Sequence, residues 1–337
     1  MQFRKAVLYG KGDLRLEMES VSRPLKPEEI LIQTEVTALS TGTDLGNYLG
    51  DSTYVPGAPD YPRSIGYSNV GIVCETGSEV NRIRRGDRLF SMKPHCSGFI
   101  TQSDDLLVPI PDSVSSEEAS LAYLTQLGLV ALRKGRFEAG ENLVVVGLGV
   151  IGLATIALGR AIGATVVGVA NSNFRAKVAL EMGARACFSP NEAGLGSPIR
   201  EALEGKQADI VVLTSNTWES YFLGLHIARV GGRVCVLGFP GRSQPMSTRN
   251  PLDPSLFYAK QLALFACGDS SKSEHPPSDT HFNLRRNLKF ILDLLSDKRM
   301  NLAPLITHRL KYARMQEAYE LAREHSKELI AAIFLWK

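Results

Sequence analysis

The most constraining stretch of this 337-residue chain is a short apolar run that ends in a glycine-spaced turn. Leu143-Val144-Val145-Val146 leads directly into Gly147-Leu148-Gly149-Val150-Ile151-Gly152, and a helical pattern follows at once over 152–162. In a strand–turn–helix unit each glycine has a task. Gly147 makes the tight turn, Gly149 lets the main chain approach a bound pyrophosphate, and Gly152 lets helix and strand pack closely. The free N–H groups and the dipole at such a helix start favour an anion there. The spacing alone is a weak signal. With a strand before it, a helix after it and a further strand over 165–169, it becomes a strong sign of a dinucleotide-binding unit, against the competing reading of a glycine-rich turn that binds nothing.

The rest of the chain is organised around that unit. The first third is rich in short strand-like runs, such as Lys5-Ala6-Val7-Leu8-Tyr9 and Gly71-Ile72-Val73-Cys74-Glu75, separated by turn signals at Lys11-Gly12-Asp13, Gly77-Ser78 and Arg85-Gly86-Asp87. Ser115-Ser116-Glu117-Glu118 reads as a helix start, with Ser115 able to cap and Glu118 three residues on. Beyond 142, strands over 143–146, 165–169, 210–213, 234–237 and 262–267 alternate with helices over 152–162 and 173–182, which predicts a parallel sheet covered on both faces. A further amphipathic helix spans 285–295, and 305–308 and 330–335 return to strand character. The expected fold is therefore α/β: a strand-rich domain over 1–122 and 301–337, with a doubly wound, parallel-sheet nucleotide-binding domain over 123–300. Residues 268–280 read as a polar loop.

The end of the second strand bears on the choice of dinucleotide. An acidic residue about 20 positions beyond the turn would hold a ribose 2′-hydroxyl. Here Gly168-Val169-Ala170-Asn171-Ser172-Asn173-Phe174-Arg175 offers no carboxylate. Ser172, Asn173 and Arg175 supply hydroxyl, amide and guanidinium donors suited to a 2′-phosphate, so NADP(H) is expected. The competing reading makes Arg175 a solvated helix residue.

Composition narrows the partners. A net charge of +3, from 38 Lys and Arg against 35 Asp and Glu, predicts no nucleic-acid surface. No apolar run reaches the ~20 residues of a membrane span, and Met1 to Gly10 reads as a strand with no signal-like pattern, so a cytoplasmic protein is expected. Five scattered cysteines with no C-x-x-C pair predict neither a zinc knuckle nor a dithiol motif, and most sit in apolar runs as buried, inert thiols.

Gly66-Tyr67-Ser68-Asn69-Val70-Gly71, Gly86-Asp87-Arg88, the 147–152 turn, Gly231-Gly232-Arg233-Val234 leading to Leu237-Gly238, and Ile306-Thr307-His308-Arg309 together resemble the medium-chain dehydrogenase/reductase superfamily over nearly the whole chain. The resemblance implies a GroES-like catalytic domain beside a Rossmann domain, with substrate meeting the nicotinamide. Ser40-Thr41-Gly42-Thr43-Asp44 and the Gly66 segment look most similar to the branch containing bacteriochlorophyllide a dehydrogenase. Zinc-dependent members carry a cysteine, a Gly-His-Glu and a third ligand where this chain has Thr41, Gly66-Tyr67-Ser68 and Ala122, and a four-cysteine lobe where it has only Cys96. A catalytic zinc needs three N, S or O ligands from the protein, so no metal is expected.

Without a Lewis acid, an oxygen must be polarised by hydrogen-bond donors, or the charge must spread over a conjugated system. The resemblance makes Tyr67 the candidate proton donor or orienting group, with Thr43 and Ser68 beside it. The alternatives are a wall aromatic for Tyr67 and a helix cap for Thr43. Tyr123 reads as core, His95 as structural or a relay, and Tyr48 and Tyr54 as walls of a closing loop. By the same resemblance Thr214, Ser215, Gly238 and Phe239 lie along the cofactor. The expected activity is zinc-independent reduction of an activated C=C or C=O of a small organic molecule with NADPH. Alternatives are an alcohol dehydrogenase working in the oxidative direction and a non-catalytic NADPH-binding protein of crystallin or sensor type. A homodimer through the strand at 262–267 is expected.

Overall fold

A computed structural model describes residues 1–50, 60–192, 194–241, 244–268 and 282–337. Tyr54 and nearly all of the 268–280 segment lie outside the described residues. The chain divides into two compact units: Met1–Tyr123 with Lys272–Asp297 and Ile306–Lys337, and Leu124–Ser271 with Lys298–Leu305.

In the second unit, six parallel strands among the described residues lie in the order Ala186–Phe188, Thr165–Val169, Asn142–Val146, Ala208–Leu213, Ala228–Val236 and Ala263–Ala266. All five residues of Asn142–Val146 are buried, as a central strand covered on both faces demands. The chain runs outward from this strand in one direction and then resumes on its other side at Ala208–Leu213. That reversal places a topological switch at the carboxyl end of Asn142–Val146, where ligands bind in such sheets. The helix Val150–Ala161 is apolar nearly all round and buries Leu153, Ala154, Ile156, Ala157 and Leu158. Its close approach to the sheet falls at Gly159, where a Cβ would stand 2.6 Å from Leu143 Cδ2.

Two helices of this unit, Gly196–Ala202 and Trp218–Ile227, are absent from the sequence reading. Trp218–Ile227 is capped by Thr217, whose hydroxyl accepts from Ser220 N at 3.2 Å. The expected strand at 234–237 is longer, Ala228–Val236, with Gly231 at φ +68° inside it.

The first unit is β-rich. Its larger sheet runs Ile306–Lys311, Ala331–Leu335, Glu29–Ala38, Asn69–Thr76, Arg88–Ser91, Leu107–Pro109, with Gly98–Gln102 also paired to Glu29–Ala38. A smaller sheet joins Asp13–Ser20, Gln2–Gly10 and Arg63–Ser64. Ser115 caps the helix Ser116–Ala119 reciprocally: its Oγ accepts from Glu118 N and donates to Glu118 Oε2 at 2.9 Å. The helix Leu284–Ser296, expected in the nucleotide domain, is instead part of this unit. Arg285 forks onto Leu107 O at 2.6 Å and Asp105 O at 3.0 Å, and the stripe Leu284, Leu288, Ile291, Leu295 is buried. That anchor depends on carbonyls about 180 residues away and left no local trace.

Candidate functional site

In the second unit three strand ends converge. Gly147, at φ +93°, turns the chain where a Cβ would stand 2.7 Å from Ser215 N and 2.9 Å from Thr214 Oγ1, so conformation and space both demand glycine. Thr214 Oγ1 donates to Gly147 O at 2.5 Å and so braces the turn from the neighbouring strand, while Ser215 Oγ accepts from Ser220 Oγ, in the helix Trp218–Ile227, at 2.9 Å. A Cβ on Gly238 would lie 2.6 Å from Ser215 O, which brings the third strand end against the second. Phe239 beside it is 57% exposed.

Gly152 is required for a different reason from the expected one. Its Cβ would lie 2.0 Å from Gly147 O, so it makes room for the turn's own carbonyl. Gly149 caps the helix, and a Cβ there would meet nothing within 4 Å. The space above Gly149 is open, and the N–H groups of Val150, Ile151 and Gly152 open the helix beneath it without intrahelical acceptors. A cradle of this kind fits a pyrophosphate. Val150 is buried and Ile151 half-buried beneath it.

At the end of Thr165–Val169, Ala170 is buried, its N–H donating to Phe188 O at 3.0 Å. Ser172 occupies the N-cap of Asn173–Glu181 in an extended conformation, yet its side chain makes no cap bond. Asn173 is exposed, and Arg175 is half-buried in the first turn, where burial pulls its guanidinium below its ordinary range. The donors expected for a 2′-phosphate therefore share one helix start, and the residues present fit a dinucleotide. A separate groove of about 510 Å³, lined by Trp218, Phe222, Leu223, His226, Arg249 and Leu256, shares no residue with the glycine turn.

In the first unit Thr43 opens the helix Thr43–Leu49, but the N-cap is Gly42, so the capping alternative for Thr43 does not apply. Its side chain is exposed. Tyr67 is half-buried, with its ring edge-on to Tyr123 at 5.0 Å, and Tyr123 is core. Ser68 is buried and its hydroxyl donates to Ser120 O at 2.5 Å, so its proton holds two segments together. Tyr48 stands on the helix, not in a loop. It is buried against Tyr319 at 5.0 Å, and its hydroxyl donates to Glu320, which makes it core and not a wall.

Asp44 went unread as a functional candidate. Its Oδ2 accepts from Ser40 N at 2.9 Å and its Oδ1 from Gly66 N at 3.2 Å, and it is 1% exposed. Burial raises its pKa to about 7, against the pull of the two N–H groups. The one local signal was an acid near a helix start, in Ser40-Thr41-Gly42-Thr43-Asp44. His95 is fully buried, with Nε2 3.9 Å from Asp44 Oδ2 and its ring edge-on to Phe334 at 5.1 Å. Neither ring nitrogen has a hydrogen-bond partner among the described residues, and burial lowers the imidazole to about 3. Gly66, at φ +92°, lies over this ring, 2.6 Å from where its Cβ would be.

These donors do not fit a zinc ion. Thr41 is half-buried, Ala122 is buried in a helix, and no group of three or more His, Cys, Asp or Glu able to hold a metal occurs among the described residues.

The zinc-binding dehydrogenase family matches residues 150–274, a span that includes none of Thr41, Tyr67 or Ala122. Over its length the chain is 24% identical to sorbitol dehydrogenase 1 of Saccharomyces cerevisiae, covering 97% of this chain and 96% of that one. In fold it is similar to a putative zinc-binding dehydrogenase from Sinorhizobium meliloti 1021 bound to NADP, at TM-score 0.80 and 19% identity over 99% of both chains. It is equally similar to a short chain alcohol dehydrogenase from E. coli CFT073 complexed with NADH, at TM-score 0.79 and 17% identity over 99% of both. By its matched nucleotide segment and its likeness along nearly the whole length, the chain is similar to zinc-type dehydrogenases, the oxidoreductases of the medium-chain dehydrogenase/reductase superfamily.

Proposed function

We propose that the chain is a zinc-independent, NADP(H)-dependent oxidoreductase that reduces an activated C=C or C=O of a small organic substrate. The observation that carries the cofactor choice is the end of the second strand. A carboxylate there would repel a 2′-phosphate, and this chain has Ala170, followed by Ser172 with its cap position unspent and by Arg175. The dinucleotide, when bound, supplies the hydride.

The chain's own residues then handle position and proton. The 147–152 turn and its helix start hold the pyrophosphate, and Gly238 and Phe239 lie towards the nicotinamide end. Tyr67 stands where zinc-dependent members carry a histidine ligand, and its hydroxyl donates the proton to the reduced product. Thr43, exposed at the start of its helix, hydrogen-bonds the substrate oxygen. Ser68, with its hydroxyl spent on Ser120 O, acts in support. A conjugated C=C suits such a site best, because the developing charge is spread over the substrate and needs no metal.

The second reading, an alcohol dehydrogenase working in the oxidative direction, draws on the likeness to sorbitol dehydrogenase 1 and on the Gly66 segment's resemblance to the bacteriochlorophyllide branch. We also propose a cytoplasmic homodimer paired through the edge strand Ala263–Ala266, whose outer side has no strand partner among the described residues.

The test is oxidation of NADPH with a panel of enals, enones, ketones and aldehydes, with chelator present and metal content measured. Turnover with NADPH preferred over NADH, undiminished by chelation and reduced at least about tenfold in Tyr67→Phe, is the expected result. One stoichiometric, activity-essential zinc per chain would overturn zinc independence. Tight NADH with weak NADPH would overturn the cofactor choice, and binding without turnover of any substrate would favour the crystallin or sensor reading.

A further inference from the structure

Beneath the turn that carries Tyr67 lies a buried polar pair that the reduction chemistry does not use. Asp44 accepts from Ser40 N, in the segment leading to Thr43, and from Gly66 N, immediately before Tyr67. One carboxyl thus ties together the two backbone segments that present the two candidate hydroxyls. A sealed carboxylate is costly unless a cation or a proton compensates it. The group placed to share that proton is His95, 3.9 Å away, equally sealed and with no hydrogen-bond partner at either ring nitrogen among the described residues.

We propose that Asp44 is a positioning residue for the Tyr67 turn, and that it works as one half of a buried Asp44–His95 couple carrying a single proton. The positioning half rests on the reading of Tyr67 as the reacting hydroxyl. The shared proton does not depend on any catalytic role.

Among the described residues, the phenols of Tyr319 and Tyr48 and the thiol of Cys96 lie nearby, and all stay neutral near pH 7. Tyr319, from the helix Met315–Arg323, is fully buried and pushed well above its ordinary range by burial and by Asp44, Tyr67 and Tyr48. Tyr48 is pushed up to about 12, first by burial and then by Glu320. Cys96, next in sequence to His95, is raised to about 11. The proton count at this place is therefore set by Asp44 and His95.

Folding moves that proton from one seat to the other. In an unfolded chain at about pH 5, an aspartate is ionised and a histidine protonated. In the fold, burial raises Asp44 to about 7 and lowers His95 to about 3, which seats the proton on Asp44. Both states bind one proton across the window from about pH 4.5 to 6, so the intact couple adds no slope to stability there. Each half alone would add one. A raised Asp44 by itself makes the folded state bind the extra proton, so stability falls as pH rises through the window. A depressed His95 by itself makes the unfolded state bind it, so stability rises with pH.

The experiment is equilibrium unfolding of the full chain across that window for the parent, Asp44→Asn and His95→Gln. Relative to the parent, the folding constant of Asp44→Asn is expected to rise by up to roughly tenfold per pH unit, and that of His95→Gln to fall by up to the same factor. Parallel profiles would overturn the shared proton. If Asp44→Asn does not fold, the slope of His95→Gln alone decides. For positioning, kcat of NADPH oxidation in Asp44→Asn is expected to drop by roughly ten- to a hundredfold with NADPH affinity kept, and any inflection of the parent's pH–rate profile near 7 to vanish. An unchanged kcat and profile would overturn positioning while leaving the couple intact. If Tyr67→Phe is also without effect, the failure belongs to the reading of Tyr67.

Discussion

The glycine turn at 147–152 and the Tyr67 turn at 66–68 each hold a short piece of main chain in place, one by leaving atoms out and the other by putting them in. At 147–152 the work is done by missing side chains: Gly147 clears Ser215 N, Gly152 clears Gly147 O, and Gly149 leaves a space open. At 66–68 it is done by side chains that reach across the fold: Asp44 to Gly66 N, Ser68 to Ser120 O, Tyr67 against Tyr123. The first kind of site is written into a local spacing. The second is distributed over residues far apart in the chain. A site built by omission tolerates no additions, whereas a site built by reach loses a graded amount with each tether removed.

That contrast can be broken most sharply at Gly152. A methyl there would overlap Gly147 O, which is backbone and cannot swing away, so Gly152→Ala should cost about 3 kcal/mol or more and abolish measurable NADPH binding. Denaturant titration and nucleotide fluorescence would check it; wild-type stability would show that the turn yields more easily than its geometry implies. Gly149→Ala separates space from fold. Its Cβ meets only open space, so stability should stay within about 0.5 kcal/mol of the parent while NADPH affinity falls by roughly tenfold or more. Equal NADPH affinity in that variant would mean that nothing binds close above Gly149.

The smallest effect on function is expected from a single tether. Ser68→Ala removes a buried hydrogen bond and leaves Ser120 O unsatisfied, so thermal unfolding should report a loss of about 1–3 kcal/mol, with kcat at permissive temperature changed by less than about threefold. A large fall in kcat without loss of stability would return Ser68 to the reacting centre.

The same division explains what could be read in advance. The strands Asn142–Val146 and Thr165–Val169, and the helix between them, stood out because apolar runs, glycine spacing and length all agree within thirty residues. The helix Trp218–Ile227 was hidden because five of its ten residues are buried, with apolar side chains on every side, and a run like that carries no period to distinguish helix from strand. The need for Gly152 was visible but its reason was not, since the neighbour that forbids a side chain is the carbonyl of its own turn. Asp44 was legible as an acid near a helix start and nothing more. Its importance comes from Gly66, 22 residues on, and from His95, and neither proximity leaves a mark in the local sequence. The helix Leu284–Ser296 was recognised and misplaced for the same reason, its allegiance being decided by Arg285 and two remote carbonyls.

The strand Ala331–Leu335 lies inside the first unit's sheet, bonded on one side to Ile306–Lys311 and on the other to Glu29–Ala38, with Phe334 against both His95 and Tyr319. During synthesis this gives the two units different clocks. The glycine turn and all the strands around it can assemble as soon as residue 267 has left the ribosome. Residues 36–38, made long before, must wait without their partner until Ala331–Leu335 arrives, whereas 29–33 pair much earlier with Gly98–Gln102. That short edge is thus left without its partner while residues 39–330 are made.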